Sequence, residues 1–506
     1  MSQPCRLLVA CFLLILPVVA QAQDEAPKSV ALTVYSAPSP DPYGGGYYGG
    51  YYDYYGNWVT TPQGYAVVKE VRSIELKQGR NELRYSNVPQ QIDATTVHFK
   101  SLLDPKGSYV LEQDFEYDLV SADKLLSRYI GEDVTLFLED GQKSSGRLMS
   151  YDGMQLVLST NDAEAPIQIV SRGEFIERIA FAELPGGLIL KPTLVWDVEA
   201  KQAGVHDCEV TYQTNGISWS ADYNLILNSN DTAADLSAWV TLSNNSGGSY
   251  QNAQLKLVAG DVQRAPMATP YGAYDSRSSM PSSGSSAGFS EQAFFEYHMY
   301  TLGRETTLSN NSTKQLELFN PVTAVPAKKS YTFQGNNSYV YDWVNYDAYY
   351  GTPNSKVDVT IELDNSERAG LGIPLPAGRV RVFKADPKDA SIEFVGEDRI
   401  DHTAKDEKLR VKTGSAFDIV GEWKVADFQV DYSAQWMEES IEVVLRNHKT
   451  EAVTVRVPEL MYRWSNWEIT KKTQDFVKTD SRRVQFELAV PADGESKLSY
   501  TVRYTW

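Results

Sequence analysis

Alternation of apolar and polar residues in the C-terminal part of the chain is the feature that most constrains its fold. The alternation runs through residues 379–382, 408–412, 484–488 and 498–504. A period of two residues places one set of side chains in a core and the other in water, as in antiparallel sheets with one solvated face. Turn-forming residues such as those at 491–494 separate the segments. The pattern predicts a long meander of strands.

Length and composition extend this prediction to the rest of the chain. A chain of 506 residues is too long for a single hydrophobic core and should divide into about three or four domains. It contains 31 Tyr, 34 Gly and 10 Trp, a composition that favours strands and turns over long helices. We therefore predict an all-β protein with several β-sandwich (immunoglobulin-like) domains and a small SH3/Sm-like barrel.

Changes in composition along the chain indicate where these units begin and end. Two low-complexity segments interrupt the strand pattern, and the Tyr/Gly-rich one is either a disordered loop or an aromatic arm for a partner. The predicted units are a signal peptide (1–22), an N-terminal β domain (23–120) with a Tyr/Gly-rich insertion (36–64), the small barrel (121–183), a β-sandwich (190–350) with a Ser/Gly-rich loop (265–290), and a C-terminal β-sandwich (351–506).

The first residues have the features of a secretory signal. Arg6 precedes an apolar run at 7–19, and the small-residue motif at 20–22 predicts cleavage after Ala22. The apolar run continues past Cys11, which argues against lipidation there. No later stretch is long and apolar enough for a membrane helix. We therefore expect a periplasmic or secreted protein with no transmembrane helix after cleavage.

Residues 121–183 resemble an Sm-like barrel, because a short helix at 121–126 precedes five short strand patterns. Arg172 and Gly173 stand where such barrels place an RNA-contacting pair. However, residues 130–181 hold four basic and nine acidic side chains, and the whole chain has a net charge of −19. An anionic surface repels a phosphate backbone. This unit is therefore interpreted as a spacer domain, and nucleic acid is not an expected partner.

Candidate chemical groups are sparse. The Gly-x-Ser-x-Gly match at 284–288 lies in a Ser-rich stretch without the strand and helix that a nucleophile elbow needs. The five His residues show no metal-ligand spacing. Cys208, the one Cys after signal cleavage, alternates with apolar residues and should be buried. We predict no catalytic, cofactor-binding or metal-ligating residues, and no cofactor.

Two polar segments leave alternatives open. Glu397, Asp398 and Asp401 lie beside His402, and such a group either does acid–base chemistry in a cleft or is a solvated loop that holds an arginine. The segment at 463–467 contains two Trp residues, which suit either sugar binding or ordinary core packing.

Six motifs carry a resemblance to a known family, at residues 89–94, 212–219, 300–304, 373–382, 394–403 and 463–469. They resemble an exported bacterial family described as a domain of unknown function, some of whose relatives are labelled mucoidy-inhibitor proteins. The label implies a connection with surface polysaccharide and supplies no mechanism.

The sequence thus predicts an exported, non-catalytic multidomain β-protein of the bacterial envelope that binds a protein or polysaccharide partner. The alternative is a hydrolase of envelope polysaccharide that uses Glu397, Asp398 and Asp401. An outer-membrane barrel is disfavoured, because such barrels need many regular strands of about ten residues.

Overall fold

The all-β prediction is confirmed by the computed structural model. It describes residues 26–36, 51–52, 58–59, 64–139, 141–160, 166–172, 176–183, 189–260, 262, 289–294, 297–336, 338, 340, 343–348, 353–386, 388–389 and 391–506. The signal peptide, most of the Tyr/Gly-rich insertion, nearly all of the Ser/Gly-rich loop and the motif at 284–288 lie outside these residues.

The N-terminal half of the described chain contains the α-helix and the first seventeen strands. They are β1 (Ser29–Tyr35), β2 (Tyr51–Tyr52), β3 (Trp58–Val59), β4 (Tyr65–Leu76), β5 (Gly79–Ser86), β6 (Ile92–Ser101), β7 (Ser108–Glu116), α1 (Ala122–Arg128), β8 (Asp133–Leu138), β9 (Lys143–Tyr151), β10 (Gln155–Ser159), β11 (Ile167–Ser171), β12 (Ile176–Ala180), β13 (Thr193–Ala200), β14 (Gly204–Asn215), β15 (Ile217–Leu227), β16 (Ala233–Asn244) and β17 (Tyr250–Ala259).

The C-terminal half adds fourteen strands and a short 3-10 helix (Glu367–Ala369) within the described residues. The strands are β18 (Phe289–Phe294), β19 (Tyr297–Leu302), β20 (Thr306–Leu308), β21 (Ser312–Phe333), β22 (Lys356–Asp364), β23 (Gly378–Ala385), β24 (Ile392–Ile400), β25 (Lys408–Asp431), β26 (Trp436–Asn447), β27 (Val453–Leu460), β28 (Trp467–Lys472), β29 (Phe476–Lys478), β30 (Arg483–Val490) and β31 (Gly494–Thr505).

The first sheet mixes strands from distant parts of the chain. Its order is β18-β19-β17-β1-β4-β14-β6, and β20 also pairs with β17. In it β1 runs parallel to β17 and antiparallel to β4. Strands from the predicted unit 23–120 therefore share a sheet with strands from the predicted unit 190–350. The predicted division into those units stays a prediction.

A second sheet, with the order β5-β13-β7, packs against the first. Inward-facing residues of both sheets belong to one apolar core, which includes Leu83 and Trp196 from the second sheet and Val68 and Val210 from the first. Alternating inward positions on two facing sheets produce a sandwich-like packing.

The largest sheet has the order β24-β23-β15-β16-β21-β22-β25-β26-β31-β28. Strand β27 pairs with β21 and with β30, and β30 also pairs with β29. The long strands β21 and β25 of this sheet contribute to two cores. Leu316 and Val411 belong to the first core, whereas Phe333 and Trp423 belong to a second core in the C-terminal part. The two cores are therefore connected by continuous strands rather than by a linker.

Residues 121–183 contain a separate small core and a five-stranded sheet. The strand order is β11-β10-β9-β8-β12. Helix α1 precedes the five strands, as predicted, and the core includes Leu126, Leu136 and Leu158. Closure into the predicted small barrel would require β11 to pair with β12. Among the described strands β11 and β12 each have a single partner, so the sheet is open at these two edges and does not close into a barrel. A five-residue strand β11 leaves Ile167 and Ile169 exposed at that edge.

In the described part of the chain, no helix has the length and apolar content needed to span a bilayer.

Candidate binding site

The acidic residues of the hydrolase alternative lie on a strand and in the turn after it. Glu397 and Asp398 lie on β24. The Asp398 carboxylate accepts hydrogen bonds from the backbone N–H of Arg399 at 2.9 Å and of Lys412 at 2.7 Å. Since Lys412 belongs to β25, Asp398 connects two strands. Glu397 lies 3.9 Å from Arg381 on the neighbouring strand.

The rest of this group has structural contacts as well. The Asp401 carbonyl accepts a hydrogen bond from the Thr403 hydroxyl at 2.9 Å. His402 Nδ1 accepts one from the Ala377 N–H at 3.1 Å. An Nδ1 atom that accepts cannot carry a proton in that arrangement. These contacts hold the turn between β24 and β25, and they assign no acid or base to a reaction.

The segment at 463–467 is mainly a part of the second core. Arg463 is fully buried and pairs with Glu439 at 2.6 Å. Tyr462 donates to the same carboxylate at 2.8 Å. Trp464 and Trp467 pack against the core, and the Trp467 indole N–H donates to the Ser481 carbonyl. Of the two alternatives for this segment, the structure supports packing.

Cys208 is buried, as predicted. Burial raises the pKa of its thiol to about 12, and the charge of Asp207 acts in the same direction. A thiol with such a pKa has almost no thiolate at neutral pH, so Cys208 is unsuited to nucleophilic chemistry. Among the described residues, no group of three or more His, Cys, Asp or Glu side chains could hold a metal ion.

Arg172, the candidate RNA contact, is engaged within its own small sheet. Its guanidinium donates to the Asp152 carbonyl at 2.7 Å and to the Asp123 carboxylate at 2.9 Å. It also lies 5.9 Å from the ring centroid of Tyr151. Gly173 lies outside the described residues. These contacts use the charge of Arg172 to hold helix α1 against the sheet.

A buried ionic cluster in the first core was missed by sequence reasoning. Glu70 accepts from Arg72 at 2.6 Å and from the hydroxyls of Tyr85 and Tyr212, each at 2.9 Å. Burial, followed by the charge of Glu70, raises the pKa of both tyrosines well above the usual value. The signal was available, because Glu70 and Arg72 occupy inward positions in the alternation of β4. Each partner is satisfied, so the cluster has a structural role.

A groove between β6 and β7 is the best candidate for a binding site. Among the described strands, β6 pairs only with β14 and β7 only with β13. Two unpaired strand edges, one from each sheet, therefore face the same groove, whose volume is about 410 Å³. The lining residues are Ala94, Thr95, Val97, His98, Phe99, Tyr109, Val110, Leu111, Glu112 and Gln113.

One side of the groove is shaped by a bulge at the start of β6. The register between β14 and β6 shifts between Thr211 and Gln213. Asp93 Oδ1 accepts from the N–H and the hydroxyl of Thr95, at 3.1 and 2.6 Å, and the Thr96 hydroxyl accepts from the Gln213 N–H at 2.8 Å. Side chains thus replace the missing ladder bonds. Bulges of this kind redirect side chains and occur often beside functional sites.

The other side of the groove, on β7, contains a glutamine held by hydrogen bonds and exposed apolar side chains. Gln113 donates to the Ala94 carbonyl at 2.7 Å and accepts from the buried Trp196 indole at 2.8 Å, so it connects the core to both strands. Tyr109 and Leu111 are 47% and 52% exposed. The sequence analysis missed this site. Its signal was the run of three apolar residues at 109–111, because an alternating strand must direct at least one of them outwards.

Comparison with models of known protein families identifies the family of this chain. The model for the family described as Domain of unknown function (DUF4139) matches residues 208–506, more than half of the chain. The chain belongs to this family. No curated protein matches it.

The DUF4139 region includes eight of the twelve residues of β14 and the whole second core, with Arg463 and Glu439. Strands β6 and β7 precede it. The groove is therefore formed by residues outside the matched region, although β6 hydrogen-bonds to a strand within it.

Proposed function

We propose that this chain is an exported, non-catalytic binding protein of the bacterial envelope, which holds an extended segment of a partner protein in the groove between β6 and β7. The observation that supports this proposal is the pair of unpaired strand edges beside exposed apolar side chains. An extended peptide can add to such an edge through backbone hydrogen bonds, while its side chains enter the neighbouring pockets.

Charge favours a polypeptide with basic residues over an acidic polysaccharide. Residues 93–116 hold five acidic and two lysine side chains, in a chain with a net charge of −19. Lysine or arginine residues in a bound segment would complement this charge, whereas uronic acids would be repelled. The hydrolase alternative gains no support from Asp398, because its carboxylate accepts two backbone hydrogen bonds.

The groove can be tested with full-length protein and a synthetic peptide of alternating Val and Lys. We expect saturable binding that Leu111→Ser weakens at least about tenfold, a loss of roughly 1.4 kcal/mol. Val477→Ser is the matched control, because Val477 is an exposed apolar residue on the distant short strand β29. The same peptide with alternate backbone nitrogens methylated should not bind. Equal binding of the methylated peptide would contradict strand addition.

Export is a separate part of the proposal. It rests on residues 1–22, and cleavage after Ala22 would leave Gln23 as the first residue. Mass spectrometry of protein purified from its native host should find that N-terminus in the envelope fraction. A mature protein that retains the apolar run at 7–19 would contradict export by cleavage.

A further inference from the structure

We propose that a second surface binds a neutral saccharide. This aromatic surface is formed by the rings of Tyr346, Tyr432 and Trp506, with Trp343 three residues before Tyr346 on the same segment. This surface lies at one end of the second core, far from the groove in sequence. It goes beyond the proposed binding of a polypeptide, because it takes a different class of ligand through different contacts.

Three separate segments bring these rings together. Tyr346 comes from the segment 343–348, Tyr432 from the turn between β25 and β26, and Trp506 follows β31. The Tyr346 ring centroid lies 5.4 Å from that of Tyr432 and 5.0 Å from that of Trp506, with interplanar angles of 51° and 71°. The rings therefore present faces in different directions rather than a flat stack.

The aromatic surface is more exposed than core packing requires. Tyr432 is 66% exposed and Trp343 is 63% exposed. Large rings are normally placed where their area is buried, and a group of them in water commonly marks a binding surface. Trp506 packs partly against the core, which gives the group a fixed base.

Arg463 holds the segment that contains Trp343 and Tyr346. Its guanidinium donates to the carbonyls of Asn345 at 3.2 Å and Asp347 at 2.8 Å. Its own carbonyl accepts from the Asn345 N–H at 3.2 Å. The buried pair with Glu439 and the Phe428 ring, 4.4 Å from the guanidinium carbon, fix the arginine in turn. Arg463 is thus a positioning residue for the aromatic surface.

The turn that contains Tyr432 is held in a similar way. Asp431 Oδ1 accepts from the N–H groups of Ser433 and Ala434, each at 2.9 Å. The backbone N–H of Trp506 donates to the Gln435 carbonyl at 3.2 Å. A surface whose loops are already ordered loses little conformational entropy when a ligand binds.

The chemistry of the surface selects a saccharide without negative charge. The face of an aromatic ring is electron-rich, so it attracts the C–H groups on the apolar face of a hexopyranose ring. Asp347 and Asp431 are on the two loops, and Glu438 lies close by in sequence at the start of β26, where it pairs with Arg503 at 2.9 Å. Carboxylates accept hydrogen bonds from sugar hydroxyls and repel uronate or sulfate groups.

The test uses the full-length protein with chitohexaose and cellohexaose as neutral probes, and polygalacturonate as an anionic probe. Binding is followed by tryptophan fluorescence and by calorimetry. We expect at least one neutral probe to bind at millimolar concentration or below. Tyr432→Ala and Trp343→Ala should each weaken it at least about tenfold, which corresponds to 1.4 kcal/mol.

Phe417→Ala is the matched control, because Phe417 is 95% exposed on the same strand that leads to Tyr432. Fifteen residues of extended chain separate the two positions, a path of roughly 50 Å. Phe417→Ala should bind as the wild type does. Unchanged melting of Tyr432→Ala would show that its fold is intact. The proposal is overturned if neither neutral probe binds, if polygalacturonate binds more tightly, or if Phe417→Ala loses as much affinity as Tyr432→Ala.

Discussion

At the scale of single residues, the second core contains an acid whose ionisation is coupled to folding. Glu459 is buried on β27 and accepts from the Tyr500 hydroxyl at 2.9 Å and the Trp423 indole at 3.3 Å. Burial raises the pKa of Glu459 to about 7, from an ordinary value of 4.5, although both hydrogen bonds act in the opposite direction. The folded protein therefore holds this proton at pH values where the unfolded chain has released it.

This proton predicts a pH dependence of stability. Between pH 4.5 and about 7 the folded state binds more protons than the unfolded state, so the free energy of unfolding falls as the pH rises. The contribution of this proton to the free energy of unfolding is complete below pH 4.5 and is lost above about pH 7. The total change is about 3 kcal/mol. Urea unfolding across this range should show the decline in the wild type, and Glu459→Gln should remove it.

Glu468→Gln on β28 provides the control for this experiment, because Glu468 is exposed. Its pH profile should match that of the wild type. A decline that persists in Glu459→Gln would assign the titration to another group.

Whether a side chain faces inwards or outwards was predictable where the alternation along a strand alone determines it. Cys208 was correctly placed inside, and the same rule applied to β4 and β27 marks Glu70, Arg72 and Glu459 as inward. The partners of these groups were not predictable. Arg463, in the loop between β27 and β28, pairs with Glu439 on β26. A sequence pattern with a period of two gives no information about which segments become neighbours.

At the scale of elements, the parallel pairing of β15 with β23 depends on one glycine. Ala221 is the register partner of Gly378, and a Cβ atom at Gly378 would lie 2.2 Å from the Ala221 carbonyl oxygen. A backbone atom cannot move aside as a flexible side chain can. We predict that Gly378→Ala lowers the free energy of unfolding by about 1–3 kcal/mol, measured by urea denaturation.

Gly303→Ala is the matched substitution for this prediction, since a Cβ atom there would have no neighbour within 4 Å. It should leave stability nearly unchanged. Equal effects of the two substitutions would show that close approach at Gly378 is not the cause.

The Tyr/Gly-rich insertion gives a second prediction for an element. Among the described strands, β2 and β3 within it pair only with each other. Because the entropy of closing a loop changes slowly with its length, deletion of residues 39–60 should leave the melting temperature nearly unchanged. Deletion of residues 29–35, which form β1 between β4 and β17, should abolish cooperative melting. A loss of several degrees from the first deletion would show that its aromatic residues support the core.

Strands were predictable as elements, but their pairing was not. Period-two alternation identified the C-terminal strands, and five short patterns after a helix indicated those of the small sheet. The predicted meander does not form, because β23 pairs with β15 and β26 pairs with β31. The alternation could not show that β1 runs parallel to β17, because parallel and antiparallel neighbours bury the same face. It also could not show that β6 and β7, adjacent in sequence, join different sheets.

At the scale of the whole molecule, the small sheet at 121–183 has a core of its own. We predict that a fragment of these residues folds alone, with a β-type circular dichroism spectrum and cooperative melting. It should not bind oligo-uridine at physiological salt, because acidic side chains outnumber basic ones and Arg172 is engaged with Asp123. Salt-sensitive RNA binding that Arg172→Ala removes would contradict the spacer interpretation.

The first core has consequences for the order in which the chain can fold. It contains residues from Val30 to Val411, and Ala31 finds its parallel partner only at Gln254. Contacts between such distant segments form slowly, because a long loop must close before they contribute. During synthesis the N-terminal strands therefore stay unpaired, with their edges and apolar faces exposed, until most of the chain has been synthesised. Chains truncated before Val411 lack part of this core, so we expect chaperones and proteases, rather than the native fold, to determine their fate.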